Sequence, residues 1–311
     1  MYKIAIIGFG SIGIRYLQAI NRIQLPNIKL FIIDKKIKIQ SGQNNLKKKI
    51  ITKSNNIKFI PKKVDLCIIS TTCQNRDKLL KELTKQSNFK NLILEKPLTQ
   101  SPKELLKLNI ILKDKKNIWV NTDRRILKVY KFIKSNLDIK NKLLMNVEGN
   151  NWGICCNSLH FIDLFNFLCD EYSYTIKEKS NLKWIHSKRN GFKELENGKL
   201  ELKFGIHKLC LSSKKNSLPK NLKISIKNGK KNFLVKEKID VFELKYNKKK
   251  KIFKNEPTSI KMTSIIKKIL LENKSNLPNY LVSSILYYPL IEYFLRKWQI
   301  YNPRSKKVPI T

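Results

Sequence analysis

The chain has 311 residues, of which 41% are hydrophobic, enough for about two domains with sizeable cores. Its formal charge of +42 comes mostly from lysines spread along the whole sequence, and this even spread argues against a specific nucleic-acid site. The six cysteines form no CxxC pair, the apolar runs are too short to span a membrane, and the first predicted strand begins at residue 2, which leaves no room for a signal peptide. We therefore expect a reduced, cytoplasmic protein without a metal site.

The first 34 residues carry the strongest local pattern in the chain. Residues 2–7 are an apolar run typical of a strand, and residues 14–20 place apolar side chains at helical spacing. Between them lies the glycine turn GFGSIG, residues 8–13. Residues 29–33 predict a second strand, which ends at Asp34. The order strand, glycine turn, helix, strand and acid predicts a dinucleotide-binding unit.

The glycines of this turn have separate physical roles in such a unit. Gly8 allows a tight turn, Gly10 removes a side chain where a pyrophosphate approaches the backbone, and Gly13 lets the helix lie close to the strand. The first turn of the helix offers N–H groups and the positive end of its dipole to phosphates. The alternative is a strand-to-helix turn that merely tolerates glycine. We expect cofactor contacts from Gly8, Gly10, Ser11, Ile12 and Gly13.

Asp34 follows Gly13 by 21 residues, at the position where a carboxylate can bind ribose hydroxyls. A carboxylate there repels a 2′-phosphate, so the residue favours NAD over NADP. Lys35 and Lys36 come directly afterwards and could weaken that preference, which leaves NADP open.

The alternation of strands and helices continues to about residue 121. Residues 57–60 predict a short strand, and further strands are expected at 64–71, 92–94 and 117–120, with helices after them. This pattern is typical of a doubly wound parallel sheet, a Rossmann domain over residues 1–121. Thr71 and Thr72 end one of these strands and are expected to border the cofactor, because ligands bind at the carboxyl ends of the strands. Arg76 follows and could meet a phosphate or cap the surface.

The pattern changes after residue 121. A helix is expected at 125–135, a strand at 143–149 and an apolar helix at 158–169. Successive strands follow between about 182 and 253, with Lys248–Lys251 as a solvated turn, and two helices close the chain, the second interrupted near Pro289. We expect a C-terminal α+β domain over residues 122–301 with a large, mostly antiparallel open sheet, and a loose tail over 302–311.

Two further motifs carry a resemblance to a known family. Glu95-Lys96-Pro97 follows a predicted strand, and His160 and Asp163 are spaced as HxxD on the apolar helix. With the glycine turn, the chain resembles the Gfo/Idh/MocA oxidoreductases over most of its length. The resemblance implies an NAD(P)-dependent dehydrogenase or reductase acting on CH–OH groups, and it implies that Glu95 and Lys96 lie at the cofactor.

The candidate catalytic residues are Lys96, His160 and Asp163, and the resemblance implies roles for the first two. Lys96 would bind the reacting oxygen beside the nicotinamide, and its bond to Pro97 is often cis in the family. His160 would act as general acid/base, which suits imidazole because its ordinary pKa of about 6.5 lets it take and return a proton near neutral pH. The plainer alternatives are a surface charge for Lys96 and a core histidine for His160.

The chain departs from the family pattern at Cys156. Relatives often have an aspartate there, four residues before the histidine, and a cysteine cannot supply a carboxylate. Either Asn157 or Asp163 is then expected to orient His160, or the proton takes a different route. Related sequences with a similar Cys-Asn before the histidine are associated with sugar and surface-polysaccharide metabolism, which implies a sugar or sugar-nucleotide-like substrate.

Three other readings stay open at this point. The chain could be a catalytically impaired NAD-binding sensor or scaffold, which the missing aspartate favours. It could also catalyse redox-neutral chemistry through a transient oxidation, or it could bind nucleic acid. The resemblance further implies a homodimer or homotetramer, because the open sheet often mediates assembly in the family.

Overall fold

A computed structural model describes residues 1–35, 49–216 and 221–311 of the chain. These residues form two compact units. The first contains Met1–Thr99, Lys103–Asn121 and Pro257–Tyr280. The second contains Gln100–Pro102, Thr122–Glu256 and Leu281–Thr311. Among the helices within these ranges, none combines the length and hydrophobicity that a membrane crossing requires.

The first unit is built on a parallel sheet, as expected, and the sheet has six strands. The strands are β1 (Tyr2–Ile7), β2 (Ile28–Ile33), β3 (Lys49–Ser54), β4 (Lys63–Ile69), β5 (Asn88–Leu94) and β6 (Ile118–Val120). Their spatial order is β3-β2-β1-β4-β5-β6. The chain builds the sheet outward from β1 to β3 and then continues on the other side of β1 with β4, so the strand order reverses between β1 and β4. In such sheets the carboxyl ends of the strands at this reversal form the ligand-binding crevice. The last four residues of β1, β4 and β5 are buried, which explains their continuous apolar runs.

The helices of this unit are α1 (Ser11–Asn21), α2 (Arg76–Gln86), most of α3 (Pro102–Leu112) and α6 (Thr258–Glu272). Helix α6 packs against α1, where Thr263 Oγ1 donates to the carbonyl of Ala19 at 3.2 Å. The sequence-based division placed α6 in the C-terminal domain. The buried apolar side of α6, which includes Met262, Ile266 and Ile269, belongs instead to the first unit.

The segment 57–60 differs from the expected short strand. Ile57–Phe59 is a 3₁₀ helix. The side chain of Asn56 accepts a hydrogen bond from the backbone N–H of Lys58 at 2.9 Å and turns the chain there. Asparagine favours such local turns because its side chain competes for nearby backbone groups.

The second unit contains an eight-stranded sheet and a separate two-stranded one. The large sheet has the order β16-β15-β14-β13-β7-β12-β11-β8, and all its neighbours are antiparallel except β7 and β12. Its strands are β7 (Leu143–Asn150), β8 (Thr175–Ser180), β11 (Gly198–Phe204), β12 (His207–Lys214), β13 (Leu222–Asn228), β14 (Lys231–Glu237), β15 (Val241–Tyr246) and β16 (Lys249–Lys254). The small sheet pairs β9 (Lys183–His186) with β10 (Lys193–Glu196). The expected fold class, a Rossmann sheet plus a mostly antiparallel sheet, is confirmed.

The helices of the second unit are α4 (Lys128–Ser135), α5 (Ile154–Cys169) and most of α7 (Tyr280–Gln299). Helix α4 starts later than expected, because Asp123–Ile126 forms a separate 3₁₀ helix before it. Helix α7 runs through Pro289 without the expected interruption.

The lysine run 248–251 is not a solvated turn. The turn is made by Asn247 and Lys248, which both have positive φ angles, and the residues after it form edge strand β16. Lysines are common on edge strands because their charge opposes pairing with another chain.

The C-terminal segment, expected as a loose tail, is packed. Val308 and Ile310 are fully buried. Val308 N–H donates to the carbonyl of Gln100 at 2.9 Å, and the side-chain amide of Gln100 donates to the carbonyl of Ile310 at 2.9 Å. Lys193 N–H donates to the carbonyl of Pro309 at 2.6 Å, so the segment also joins strand β10.

We therefore predict that Ile310→Ala lowers the free energy of unfolding by about 2–4 kcal/mol, because it removes buried methyl groups and leaves a cavity. Ile300→Ala is the matched control, since Ile300 is 70% exposed and Ile310 is 0% exposed. The control should change stability by no more than about 0.5 kcal/mol. Urea unfolding of the three proteins measures the difference, and equal stability for both variants would show that the tail is loose.

Candidate functional site

The glycine turn after β1 has no room for a side chain at two of its glycines and has room at the third. Gly8 has φ +93°, and a Cβ there would lie 2.6 Å from the backbone nitrogen of Thr71. A Cβ at Gly13 would lie 2.2 Å from the carbonyl oxygen of Gly8. A Cβ at Gly10 would meet nothing within 4 Å. Packing therefore requires the first and third glycines, and the second leaves the backbone accessible, as a pyrophosphate requires.

The start of α1 suits an anion. Gly10 is the N-cap residue, with no side chain bonding to the first turn, and that turn contains no acidic residue. The first N–H groups of a helix, here from Ser11 and Ile12 onward, have no partner within the helix and carry the positive end of its dipole. The described residues thus fit the phosphates of a dinucleotide.

Asp34 lies beside this turn. Its Oδ2 accepts a hydrogen bond from the backbone N–H of Phe9 at 2.5 Å, which holds the carboxylate against the glycine turn at the end of β2. This is the place expected for a ribose-binding acid. Lys36, one of the two lysines expected to weaken the preference for NAD over NADP, lies outside the described residues.

Arg76 ties together the loops at the carboxyl ends of β4 and β5. The side chain is buried, and its guanidinium donates to the carbonyls of Thr71 (2.8 Å), Glu95 (2.5 Å) and Pro97 (2.6 Å). It therefore neither caps the surface nor points at a phosphate in this arrangement. Thr71 and Thr72 lie in the half-buried loop that it holds.

The Glu95-Lys96-Pro97 triplet follows β5. The Lys96–Pro97 bond is cis, as expected, and Lys96 is half-buried. Glu95 is buried, and its Oε1 accepts hydrogen bonds from Tyr16 Oη (2.7 Å) and Asn121 Nδ2 (2.6 Å). Burial raises the pKa of Glu95, against the opposing effect of these two donors. Glu95 was expected at the cofactor, and these contacts favour a positioning role, since it joins α1 to the ends of β5 and β6.

In the second unit, α5 carries His160 with a carboxylate nearby. The His160 Nδ1 lies 3.9 Å from an Oδ1 of Asp123, and the two side chains are 16% and 18% exposed. Asp123 stands 37 positions earlier in the chain, in the 3₁₀ helix before α4. Its sequence context gives no sign of this proximity, because only the tertiary fold creates it.

Asp163, expected as a partner of His160, is bound elsewhere. Its carboxylate accepts from Arg125 Nη2 (2.5 Å) and Nε (2.8 Å), and its side chain is 1% exposed. Burial raises the pKa of Asp163 to about 6, while Arg125 acts in the opposite direction. Asn157, the other expected partner, donates to the backbone carbonyls of Trp152 and Gly153. Asp123 is therefore the carboxylate that the structure brings to the histidine.

Two glutamates of β10 hold the start of α5. Glu194 accepts from the backbone N–H groups of Cys155 and Cys156, and Glu196 accepts from that of Gly153 at 3.0 Å. Burial raises the pKa of Glu194 to about 7. Neither glutamate can be recognised from the sequence, because carboxylates near a helix start stand out only when they are close to it in the chain.

Among the described residues, the cysteines and the possible metal ligands do not form a further site. All six cysteines are free thiols, and burial raises the pKa of Cys155, with Glu194 adding to the effect. A thiol whose pKa is raised is a poor nucleophile. Within the part of the chain that the structure describes, no group of three or more His, Cys, Asp or Glu side chains could hold a metal ion.

The N-terminal part of the chain is similar to a known protein family. Residues 2–122 match the family model GFO_IDH_MocA, described as an oxidoreductase family with an NAD-binding Rossmann fold. No curated protein matches the sequence. The match of residues 2–122 confirms the resemblance, the NAD-binding Rossmann fold and the expected class of NAD(P)-dependent oxidoreductase.

Solved structures share the fold over nearly the whole chain. A dehydrogenase (MviM) from Clostridium difficile is 18% identical with a TM-score of 0.71, covering 95% of this chain and 99% of its own. A Gfo/Idh/MocA family oxidoreductase from Vibrio cholerae is 15% identical with a TM-score of 0.68, covering 98% and 100%. A levoglucosan dehydrogenase in complex with NADH and L-sorbose is 13% identical with a TM-score of 0.70, covering 94% and 95%.

We predict that Gly10→Trp abolishes nucleotide binding and leaves the free protein stable, because space surrounds this position. NADH or NADPH at a hundredfold excess over its dissociation constant should stabilise the wild-type protein by about 2.7 kcal/mol. Thermal-shift titration measures both effects. A nucleotide shift that persists in the variant would place the ligand elsewhere.

A second prediction concerns Glu194. The folded protein binds a proton on this carboxyl with a pKa of about 7, above the ordinary 4.5. The folded state thus binds the proton more tightly than the unfolded chain does. The free energy of unfolding should fall as pH rises between these values, by roughly 3 kcal/mol at 1.36 kcal/mol for each pKa unit.

Urea unfolding of Glu194→Gln between pH 4.5 and 8 tests this, because glutamine does not ionise and the variant should lose that part of the pH dependence. Glu272→Gln, at an exposed position, is the control and should follow the wild-type curve. Parallel curves for wild type and Glu194→Gln would contradict the assignment.

Proposed function

Because residues 2–122 of this chain match the model of the GFO_IDH_MocA oxidoreductases, a family with an NAD-binding Rossmann fold, we propose that the protein transfers a hydride between a nicotinamide cofactor and a hydroxyl or keto carbon of a sugar or sugar-nucleotide-like substrate. The observation that carries the chemical part of this proposal is the pair His160 and Asp123. The sugar part is supported by fold similarity to levoglucosan dehydrogenase, whose complex contains L-sorbose.

The cofactor site is the better defined half of the proposal. Gly10 and the start of α1 hold the pyrophosphate, and Asp34 binds the ribose hydroxyls, which favours NAD. Thr71 and Thr72 border the site at the end of β4. The bound nicotinamide supplies the hydride acceptor or donor.

Lys96 is proposed to bind the reacting oxygen of the substrate. An ammonium group stabilises the negative charge that develops on an oxygen when its proton leaves. Arg76 and Glu95 fix the loop that carries Lys96, through the contacts to the carbonyls of Glu95 and Pro97 and to Tyr16. This assignment rests on the family resemblance of the triplet.

His160 is proposed to take the hydroxyl proton during oxidation and to return it during reduction. Asp123, 3.9 Å away, stabilises the imidazolium that forms. Arg124 and Arg125 follow Asp123 in the chain and each hydrogen-bonds another carboxylate, while Arg124 also interacts electrostatically with Asp123. Arg124 pairs with Glu237, and Arg125 pairs with Asp163. Asp163 then acts as a positioning residue that anchors α5 to the segment carrying Asp123.

Asp123 is also proposed to replace the carboxylate that is missing at Cys156. A carboxylate remains beside His160, although it comes from a different segment of the chain. The pair therefore favours catalysis over an impaired sensor. A cytoplasmic location in surface-polysaccharide metabolism and assembly as a homodimer or homotetramer stay predictions.

We predict that Lys96→Ala and His160→Ala each lower turnover by about a hundredfold or more, because each removes a group that handles the reacting oxygen or its proton. Asp123→Asn should lower turnover less, by about tenfold, because the histidine remains and loses only its charged neighbour. His160→Ala and Asp123→Asn should bind NADH as the wild type does. Turnover is measured with NAD and NADH against a panel of sugars and sugar nucleotides.

Asp240→Asn, at an exposed position of the same unit, is the control for Asp123→Asn and should leave turnover unchanged. NADH binding without turnover across the whole panel would support the sensor instead. Isotope exchange at a substrate carbon without net NADH formation would indicate redox-neutral chemistry.

A further inference from the structure

One turn of 3₁₀ helix, Asp123–Ile126, presents three consecutive charged side chains to different partners. A 3₁₀ helix has three residues per turn, so neighbouring side chains leave it in directions about 120° apart. Asp123 lies beside His160, while Arg124 and Arg125 reach other carboxylates. The position of this one turn therefore sets all three contacts together.

The effect of Asp123 on His160 depends on their separation. The distance from His160 Nδ1 to Asp123 Oδ1 is 3.9 Å, beyond the range of about 2.7–3.2 Å that is usual for an N–H···O hydrogen bond. The attraction between opposite charges weakens as they move apart. The interactions that fix the 3₁₀ helix therefore control how well the imidazolium is stabilised.

Arg124 connects this turn to the large sheet. Its Nη1 and Nη2 donate to the two carboxylate oxygens of Glu237, which ends β14, the second over 3.1 Å. Tyr130 Oη donates to the same carboxylate at 3.0 Å. Burial raises the pKa of Tyr130 well above its ordinary value, and Glu237 adds to the effect, so the phenol keeps the proton that it donates. Both side chains of the ion pair are 14% exposed.

Arg124 also contacts α5 next to the histidine. The central carbon of its guanidinium lies 4.1 Å from the centroid of the Phe161 ring. Phe161 directly follows His160 and is fully buried, with the ring of Trp152 packed edge-on against it. A planar guanidinium can stack on a ring and bind a carboxylate at two points, whereas a lysine ammonium is a single point charge.

Arg125 gives the turn a second attachment to α5. Besides Asp163, its guanidinium donates to Asn166 Oδ1 at 3.1 Å. Changing Arg125 would weaken the pairing of a buried carboxylate that belongs to α5 itself. The carboxylate partner of Arg124 lies outside α5, so a change at Arg124 disturbs the turn more than the helix.

We propose that Arg124 is a positioning residue that keeps the carboxylate of Asp123 beside His160, through its contacts with Glu237 and Phe161. Arg124 moves no proton itself, because a guanidinium is not deprotonated in proteins. The inference rests on the proposed function, in which His160 is the general acid/base.

NMR titration of the three histidines in the free protein, with the His160 signal assigned by His160→Ala, tests the proposal. Asp123→Asn should lower the pH at which His160 is half protonated by about one unit, because a nearby carboxylate favours the charged imidazole. Arg124→Lys should lower this pH by about half as much, because lysine keeps the charge and loses the two-point bond and the stacking.

Arg296→Lys is the matched control. Arg296 belongs to the same unit and pairs with Glu292 at 2.9 Å, but its side chain is 75% exposed. This variant should leave the titration of His160 unchanged.

Combining Arg124→Lys with Asp123→Asn separates positioning from a direct effect on the histidine. If Arg124 acts through Asp123, the double variant should titrate as Asp123→Asn does, because the two effects are then not additive. No shift in Arg124→Lys, or a shift of equal size in the Asp123→Asn background, would overturn the proposal. Glu237→Gln, alone and with Asp123→Asn, repeats the test from the other side of the ion pair if Arg124→Lys does not fold.

The titration requires neither cofactor nor substrate, so its result is independent of turnover. The expected shifts in a protein that turns over no sugar would contradict the proposed function and support the positioning by Arg124. Turnover that depends on His160, without the shift in Arg124→Lys, would support the function and overturn the positioning.

Discussion

The absence of a Cβ atom at Gly8 and Gly13 allows three backbone segments of the first unit to meet. The end of β1, the start of α1 and the loop after β4 approach at distances that any other residue would prevent. Once they meet, the start of α1 faces open space at Gly10, and Asp34 can bind the turn through Phe9. Arg76 then fixes the neighbouring loops by bonding to their carbonyls. The nucleotide site is thus mainly a backbone structure.

The second unit organises its site through charge pairing. A buried charge is costly unless it is paired, and removing one partner leaves the other unsatisfied. Arg124 and Arg125 each hold one carboxylate, and Glu194 binds the first N–H groups of α5. The same 3₁₀ helix that carries Arg124 and Arg125 places Asp123 3.9 Å from His160.

The sequence predicts the glycine turn, the position of Asp34 and the alternation of strands and helices in the Rossmann domain. These features depend on residues close together in the chain and on regular hydrophobic periodicity. The partners of Glu95, His160 and the start of α5 could not be predicted in this way. Glu95 bonds to Tyr16, 79 positions away, and Glu194 bonds to Cys155, 39 positions away. Such pairs depend on how elements pack. The buried tail was missed for the same reason, since its few apolar residues show no periodicity.

The placement of α6 has a consequence for synthesis of the protein. The nucleotide-binding unit takes residues from three stretches of the chain, and the last of them ends at Tyr280. A ribosome that has released only the first 121 residues has made all six strands of the parallel sheet but not the helix that covers α1. The side of α1 that contacts α6 stays uncovered until more than 130 further residues have been synthesised. Folding of this unit is therefore completed late in translation, and a gene fragment that encodes the glycine turn and the parallel sheet does not encode a finished domain.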